Sequence, residues 1–256
     1  ATIAAAQAPI NSNAAMQPNK GGLILRQRFT YTEADKTPMA ALSADMTMSM
    51  TTLMYGVTEK FTLMLNTPIR ISSQTNNSLT GVETDLSGLD DIKIMSKFRL
   101  FRDDFSPMNT QRFDLLAGVE IPTGRDQFTS DSTDPIIGGV YSYKKDRHSF
   151  HTDLLWQFNT GEGNNGEDKL TYDLAYVYRL SPEVYSNEDP TALFTSIELN
   201  GAYETNSDQE IFISPGLQYV KKYWALEATL QIPIHQRLDN RMERDFVFGI
   251  GFKFRF

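Results

Sequence analysis

From Gly21 to Phe256 the chain is written in short stretches where large apolar and polar residues take turns. A period of two means a β-strand with two unlike faces. The sharpest case is the last twelve residues, where Phe246, Phe248, Ile250, Phe252, Phe254 and Phe256 share one face; Asp245, Val247, Gly249, Gly251, Lys253 and Arg255 share the other. Residues 168–180 set Leu170, Tyr172, Leu174, Tyr176, Tyr178 and Leu180 against Thr171, Asp173, Ala175, Val177 and Arg179. In 223–235, Leu226, Ala228, Leu230, Ile232 and Ile234 oppose Glu227, Thr229, Gln231 and His235. In 111–122, Phe113, Leu115, Ala117, Val119 and Ile121 oppose Asp114, Gly118 and Glu120. The pattern is weaker in 42–55, where hydropathy assigns Met46, Met48 and Met50 to the fatty face. The rhythm predicts twelve strands: 22–33, 42–55, 61–72, 88–101, 111–122, 135–145, 148–158, 168–180, 190–203, 209–220, 223–235 and 244–256. Pro68, Pro215 and Pro233 interrupt ladders and predict bulges or bends.

Strands of about 9–11 residues, fatty on one side and polar on the other, suit a membrane barrel that encloses a polar lumen. No apolar run approaches the length of a membrane-spanning helix. The mean hydropathy of −0.37 is what alternation produces when the two faces average out. The expected fold is therefore all-β, a transmembrane antiparallel barrel of twelve strands over residues 21–256, behind a short N-terminal extension over 1–20. That extension, rich in Ala, Asn, Gln and Pro, has no useful alternation; it is expected loose in the periplasm or tucked into the barrel mouth. An even strand number puts both ends on the periplasmic side, with 34–41, 73–87, 123–134, 159–167, 204–208 and 236–243 as outward loops. The aromatic closing strand with its terminal Phe256 resembles the assembly signal of bacterial outer-membrane barrels. That resemblance implies a location in the bacterial outer membrane, delivery by the barrel-assembly machinery, and a secretion signal removed ahead of Ala1. Tyr31, Tyr55, Tyr143, Trp156, Phe158, Tyr178 and Tyr203 fall at strand ends and are expected in the interfacial girdles.

The absence of cysteine removes disulfides, thiolate metal sites and cysteine nucleophiles, and a net charge of −8 argues against a nucleic-acid partner. Twelve strands at ~4.8 Å spacing and a tilt near ~40° close a cylinder roughly 24 Å across, leaving roughly 12 Å inside the side chains. The face that alternates away from lipid carries the bases Arg26, Arg28, Arg70, Lys93, Lys97, Arg99, Arg179, Lys253 and Arg255. It also carries the acids Asp114, Glu120, Asp153, Asp173, Glu198 and Glu227, and His151. One reading is a transverse field that selects solutes by charge and dipole. The other is a plug of ion pairs, with Lys93, Lys97 and Arg99 facing Asp114 and Glu120 on the next strand. The second reading would make the chain a closed structural barrel, an anchor or a subunit of an envelope assembly. Ser149, His151 and Asp153 share one face, but i and i+2 lie about 7 Å apart, too far for a relay along one strand. His148, His151 and His235 show no metal-ligand spacing, and neither a cofactor nor catalysis is expected. Acidic residues Glu83, Asp85, Asp126, Asp131, Asp134, Glu162, Glu167 and Asp168 fall in the outward loops. They read as solvated surface, with divalent cations shared with lipopolysaccharide as the functional rival.

Three segments go further. Ser87–Leu100 opens a strand with Gly88-Leu89-Asp90-Asp91, Ala117–Arg125 ends one in Pro122-Thr123-Gly124, and Asp134–Tyr141 starts the next. In that order and spacing they resemble the outer-membrane family labelled "putative MetA-pathway of phenol degradation", although Asp90 stands where that family commonly has Gly. The resemblance implies a barrel of the twelve-strand class that passes a small hydrophobic or aromatic solute. In the motif itself, Gly88 and Gly124 are expected at turns with positive φ, and Pro122 at the end of a ladder.

Overall fold

The computed structural model describes residues 7–36, 42–106, 108–161, 166–185, 191–239 and 241–256. Its strands are β1 Leu23–Lys36, β2 Leu42–Gly56, β3 Phe61–Asn77, β4 Val82–Leu89, β5 Ile92–Ser106, β6 Asn109–Ile121 and β7 Asp134–Lys145. They continue as β8 His148–Gln157, β9 Lys169–Ser181, β10 Ala192–Glu204, β11 Gln209–Val220, β12 Trp224–Arg237 and β13 Glu243–Arg255. Each pairs antiparallel with its neighbours in the order β2-β1-β13-β12-β11-β10-β9-β8-β7-β6-β5-β3-β4, and β2 also pairs with β3. That last pairing closes the sheet, so no backbone edge is left in hydrocarbon, where an unpaired amide costs several kcal/mol. The barrel has twelve strands, and β4 is an addition.

The addition lies where a loop over 73–87 is expected. β3 runs on to Asn77 and turns back as β4, which pairs only with the upper part of β3. The expected strand 88–101 is broken at Asp90 and Asp91, and β5 then pairs with the lower part of β3 and with β6. Adjacent carboxylates cannot sit in a continuous ladder facing lipid, so the chain breaks there and uses them. Asp91 is buried and accepts the amide of Gly124 at 2.8 Å, with the amide and hydroxyl of Ser130 at 2.7 Å each. Asp90 takes the Arg70 guanidinium at 2.8 Å. The motif glycines have no positive φ, a correction to the turn expectation. They are small for a different reason: a Cβ on Gly124 would lie 2.2 Å from the Phe128 carbonyl oxygen, and one on Gly88 2.8 Å from the Phe128 ring. Loop 122–133 is thus folded down onto the strand break.

Outside, Ile94, Phe98, Leu100, Leu115, Ile137, Leu154, Leu174, Ile197, Leu217, Leu226, Ile250 and Phe254 are exposed, the band that meets lipid. Strand β2 corrects the sequence reading. Its register against β1 pairs Arg28 with Met50, Thr30 with Met48 and Thr32 with Met46, so the methionines face inward. The lipid side of this pair carries Gln27, Ser49 and Thr51, which satisfy one another at 2.5 and 2.6 Å. A polar group in hydrocarbon is tolerated when its bonds are made locally.

Burial by itself would raise the Asp91 carboxyl, but the three donations from Ser130 and Gly124 outweigh it and hold the group below the ordinary carboxylate range. Its folded-state value being depressed, the stability it contributes is complete above a pH of about 5 and is lost as pH falls through 4 and below. Asp91→Ala is expected to cost about 1–3 kcal/mol at pH 7 by orphaning these donors. The gap between wild type and variant in thermal midpoint should close toward pH 3; a gap independent of pH would contradict the assignment.

Candidate functional site

Inside the barrel the strands present charge to charge, and the N-terminal segment lies among them. Residues 7–20 do not hang at the mouth. The chain leaves β1 through Gly21, whose amide bonds the Gly56 carbonyl at 2.7 Å, and a Cβ on Gly56 would collide with Asn19. It then rises into the lumen past Gln17 and Ala15, turns at residues 10–13, and descends to Gln7 at the short turn before β8.

Every limb of this U is bonded to the wall. Glu198 of β10 accepts the amides of Ile10 at 2.7 Å, Asn11 at 3.0 Å and Ser12 at 2.8 Å, with the Ser12 hydroxyl at 2.7 Å. Asp153 of β8 takes the amide and side chain of Asn13 at 2.8 and 2.9 Å. Asp114 of β6 takes the Gln17 amide group at 2.9 Å and Arg99 at 3.2 Å. On the cationic side the carbonyls do the accepting. Arg26 reaches Ile10 O at 2.5 Å, Lys97 reaches Ala14 O at 2.8 Å, and Arg99 reaches Ala15 O at 3.3 Å. Arg28 holds the Asn11 side chain. Ala15 also packs against Met64, Met95, Leu116, Ile136 and Val140.

The remaining inward charges meet one another. Glu227 bridges Arg26 and Lys253, the latter at 3.0 Å. Lys93 and Glu120 stand 3.3 Å apart, with Gln157 accepting from Lys93 and donating to Glu120. Arg99 pairs with Asp114 while Lys97 instead takes the peptide carbonyl. Asp173 faces Asp153 across the ladder and accepts the Asn200 amide at 2.8 Å. Arg179, near the periplasmic floor, donates to the Glu183 carbonyl and stacks over Tyr185 at 4.2 Å. Arg70 is higher, at the outer end, and Arg255 borders a lower cavity. The closing-strand glycines make room for neighbours: a Cβ on Gly251 would meet Glu227, and one on Gly249 would crowd Thr229 and Arg28.

His151 does reach Ser149, at 3.1 Å, because the ring folds back along the strand; the 7 Å spacing argument missed this. Its other nitrogen meets Ser142 at 2.7 Å, and Asp153 is committed to Asn13. The hydroxyls flanking His151 form a polar contact with no carboxylate to orient a relay.

Two open volumes remain. At the long-loop end a vestibule of about 760 Å³ is lined by Ala34, Leu42, Ala44, Met46, Met48, Leu238 and Met242, with Arg70, Arg241 and Arg244 around it. Beside it the ladder between β12 and β13 stops at Gln231 and Val247, and the Gln236 side chain takes over by bonding both backbone groups of Arg244. Beside the segment, toward the short-turn end, a cavity of about 170 Å³ is bordered by Met16, Met54, Met64, Lys97, Lys253 and Arg255. At the outer rim Asp134 is buried against Thr160, and Asp168 accepts from Asn159 and Trp156, so these two acids tie loops down and correct the solvated reading. Glu162 and the side chain of Asp126 lie outside the described residues.

A family model described as "Putative MetA-pathway of phenol degradation" matches residues 26–249. Among solved structures, the chain is similar to an outer membrane channel of Pseudomonas putida F1, at 11% identity and a TM-score of 0.61, over 97% of this chain and 100% of that one. It is also similar to the NanC porin, at 11% identity and a TM-score of 0.56, over 90% and 98% of the two chains. No curated protein matches.

Because charge-assisted bonds are worth about 1.5–3 kcal/mol each, Glu198→Ala is expected to free the turn of the segment. Hydrogen exchange at the amides of Ile10, Asn11 and Ser12 should accelerate by roughly 10- to 100-fold while strand amides of β10 stay protected. Unchanged protection at those three amides would show that Glu198 does not anchor the turn.

Proposed function

We propose, for a chain that belongs to the family described as "Putative MetA-pathway of phenol degradation", that this outer-membrane barrel passes a small hydrophobic solute while its own N-terminal segment keeps the lumen closed to ions. The observation that carries the reading is an apolar-floored vestibule, open at the outer end, standing directly over a lumen filled by residues 7–19. A hydrophilic pore needs a continuous wet path, and here the wall charges are spent on peptide groups. An apolar solute needs a dry foothold, which the vestibule offers. The segment is held by hydrogen bonds that water can replace, so it can yield without unfolding the wall.

The sixteen charged and polar residues named on the inward face serve, on this reading, to seat and release the segment rather than to contact solute over their whole length. No catalytic role is proposed. The acidic outer loops would face lipopolysaccharide, and the closing strand would be the part presented to the barrel-assembly machinery. A second reading, the closed structural barrel of an envelope assembly, draws on the same filled lumen.

Removing residues 1–19 separates them. The full chain in a planar bilayer is expected to give little ionic current, and the shortened chain stepwise currents. In vesicles carrying lipopolysaccharide in the outer leaflet, the full chain should speed the entry of toluene but not of a sugar. Equal conductance with and without the segment would reject the closure. A full chain that fails to accelerate toluene would leave the structural barrel standing.

A further inference from the structure

The inner wall of β2 carries a row that neither the charges nor the segment accounts for. Met46, Met48, Met50 and Met54 occupy alternate inward positions, each half-buried. Across the ladders Met54 stands opposite Met64 of β3, and Met64 opposite Met95 of β5. The row begins in the vestibule, where Met46 and Met48 share the lining with Met242. It passes Met50, whose ladder partner is Arg28, the residue that grips the segment at Asn11. It ends at the lower cavity, where Met54 and Met64 meet Met16 of the segment itself. The row thus joins the two open volumes and crosses the level of the closure between them.

Methionine fills irregular gaps, and that is its ordinary use in a core. Here the row is not sealed in a core, because both its ends border open space. The lipid face of the same barrel uses Leu, Ile and Phe for its apolar surface, while this wall uses unbranched thioethers. Such side chains bend aside at small cost, and their polarizable sulfur makes favourable contacts with the edge of an aromatic ring. The lower cavity, at about 170 Å³, is of the size at which an engineered apolar cavity of about 150 Å³ binds benzene.

We infer that the methionine row is the binding path for the solute and that it prefers a single planar aromatic ring to a saturated ring of the same size. This rests on the reading of the barrel as a solute channel. The ring would settle in the vestibule against Met46, Met48 and Met242, and move along Met50 to Met54 and Met64 as the segment yields. Every hand-off is between polarizable sulfurs, so no step strips the ring of its contacts.

The test uses the full chain in lipid nanodiscs, labelled with carbon-13 at the methionine methyls and titrated with phenol and, separately, with cyclohexanol. Phenol should shift the methyls of Met46, Met48 and Met50 upfield in a saturable manner, with a dissociation constant about threefold or more below that of cyclohexanol, the weight of one sulfur–ring contact. In Met46→Leu/Met48→Leu/Met50→Leu the ratio of the two constants should fall to about one, and Met48→Leu alone should lower it if the triple variant does not fold. Absence of saturable shifts at these methyls, equal constants in the wild type, or an unchanged ratio in the leucine variants would each overturn the inference. Shifts without accelerated toluene entry would overturn the channel reading and leave the row a binding site. Toluene entry without shifts would do the reverse.

Discussion

A charge turned inward in a narrow barrel must find a partner, and in this chain the need cannot be met by charges alone. The inward list holds nine bases against six acids, and a surplus cation in a low-dielectric space is costly. A stretch of backbone is the natural answer, because it offers carbonyls to cations and amides to carboxylates in the same few residues. Glu198 draws in three amides from one side while Arg26, Lys97 and Arg99 take carbonyls from the other. The segment, the ion pairs and the two cavities are all arranged around that exchange.

The wall is built to make the exchange compact. Lumen-facing glycines on β13 let Glu227 and Arg28 lie flat against the sheet, and the break at Asp90 and Asp91 brings loop 122–133 down at the rim. What is left over is apolar: a vestibule above and a smaller cavity beside the segment, both bordered by methionine. Polar surface is consumed by self-contact and apolar surface stays available. The family match fits a barrel of this division, and the likeness to solved channels at 11% identity speaks to the fold.

Much of the fold was legible because a period of two survives averaging. The closing strand, β6, β9 and β12 show their faces directly, and the charges named as inward do lie among one another or against the segment, with Arg70 and Arg255 at the ends. Strand β2 was misread for a physical reason. A thioether scores as fatty, whereas Gln27, Ser49 and Thr51 conceal their polarity by bonding one another, so hydropathy chose the wrong face. The strand break was hidden because a pair of aspartates looks like a turn start, and what fixes it is a loop thirty residues downstream. The course of residues 7–20 had no signal in their own pattern. A segment that binds with backbone groups needs no particular side-chain rhythm, and the only hint was the unbalanced inward charge.

The U-shaped course of the segment has a topological consequence. Gln7 and Gly21 both come out at the short-turn end, near the turns after β7 and β2, so nothing is threaded through the ring. The barrel can therefore close first and receive the segment afterwards, and a pull from the periplasm withdraws it as a loop, one anchor at a time, while the strands stay zipped. Opening is then a peeling event governed by force and sequence of rupture, and a tethered closure of this kind resets without any new assembly.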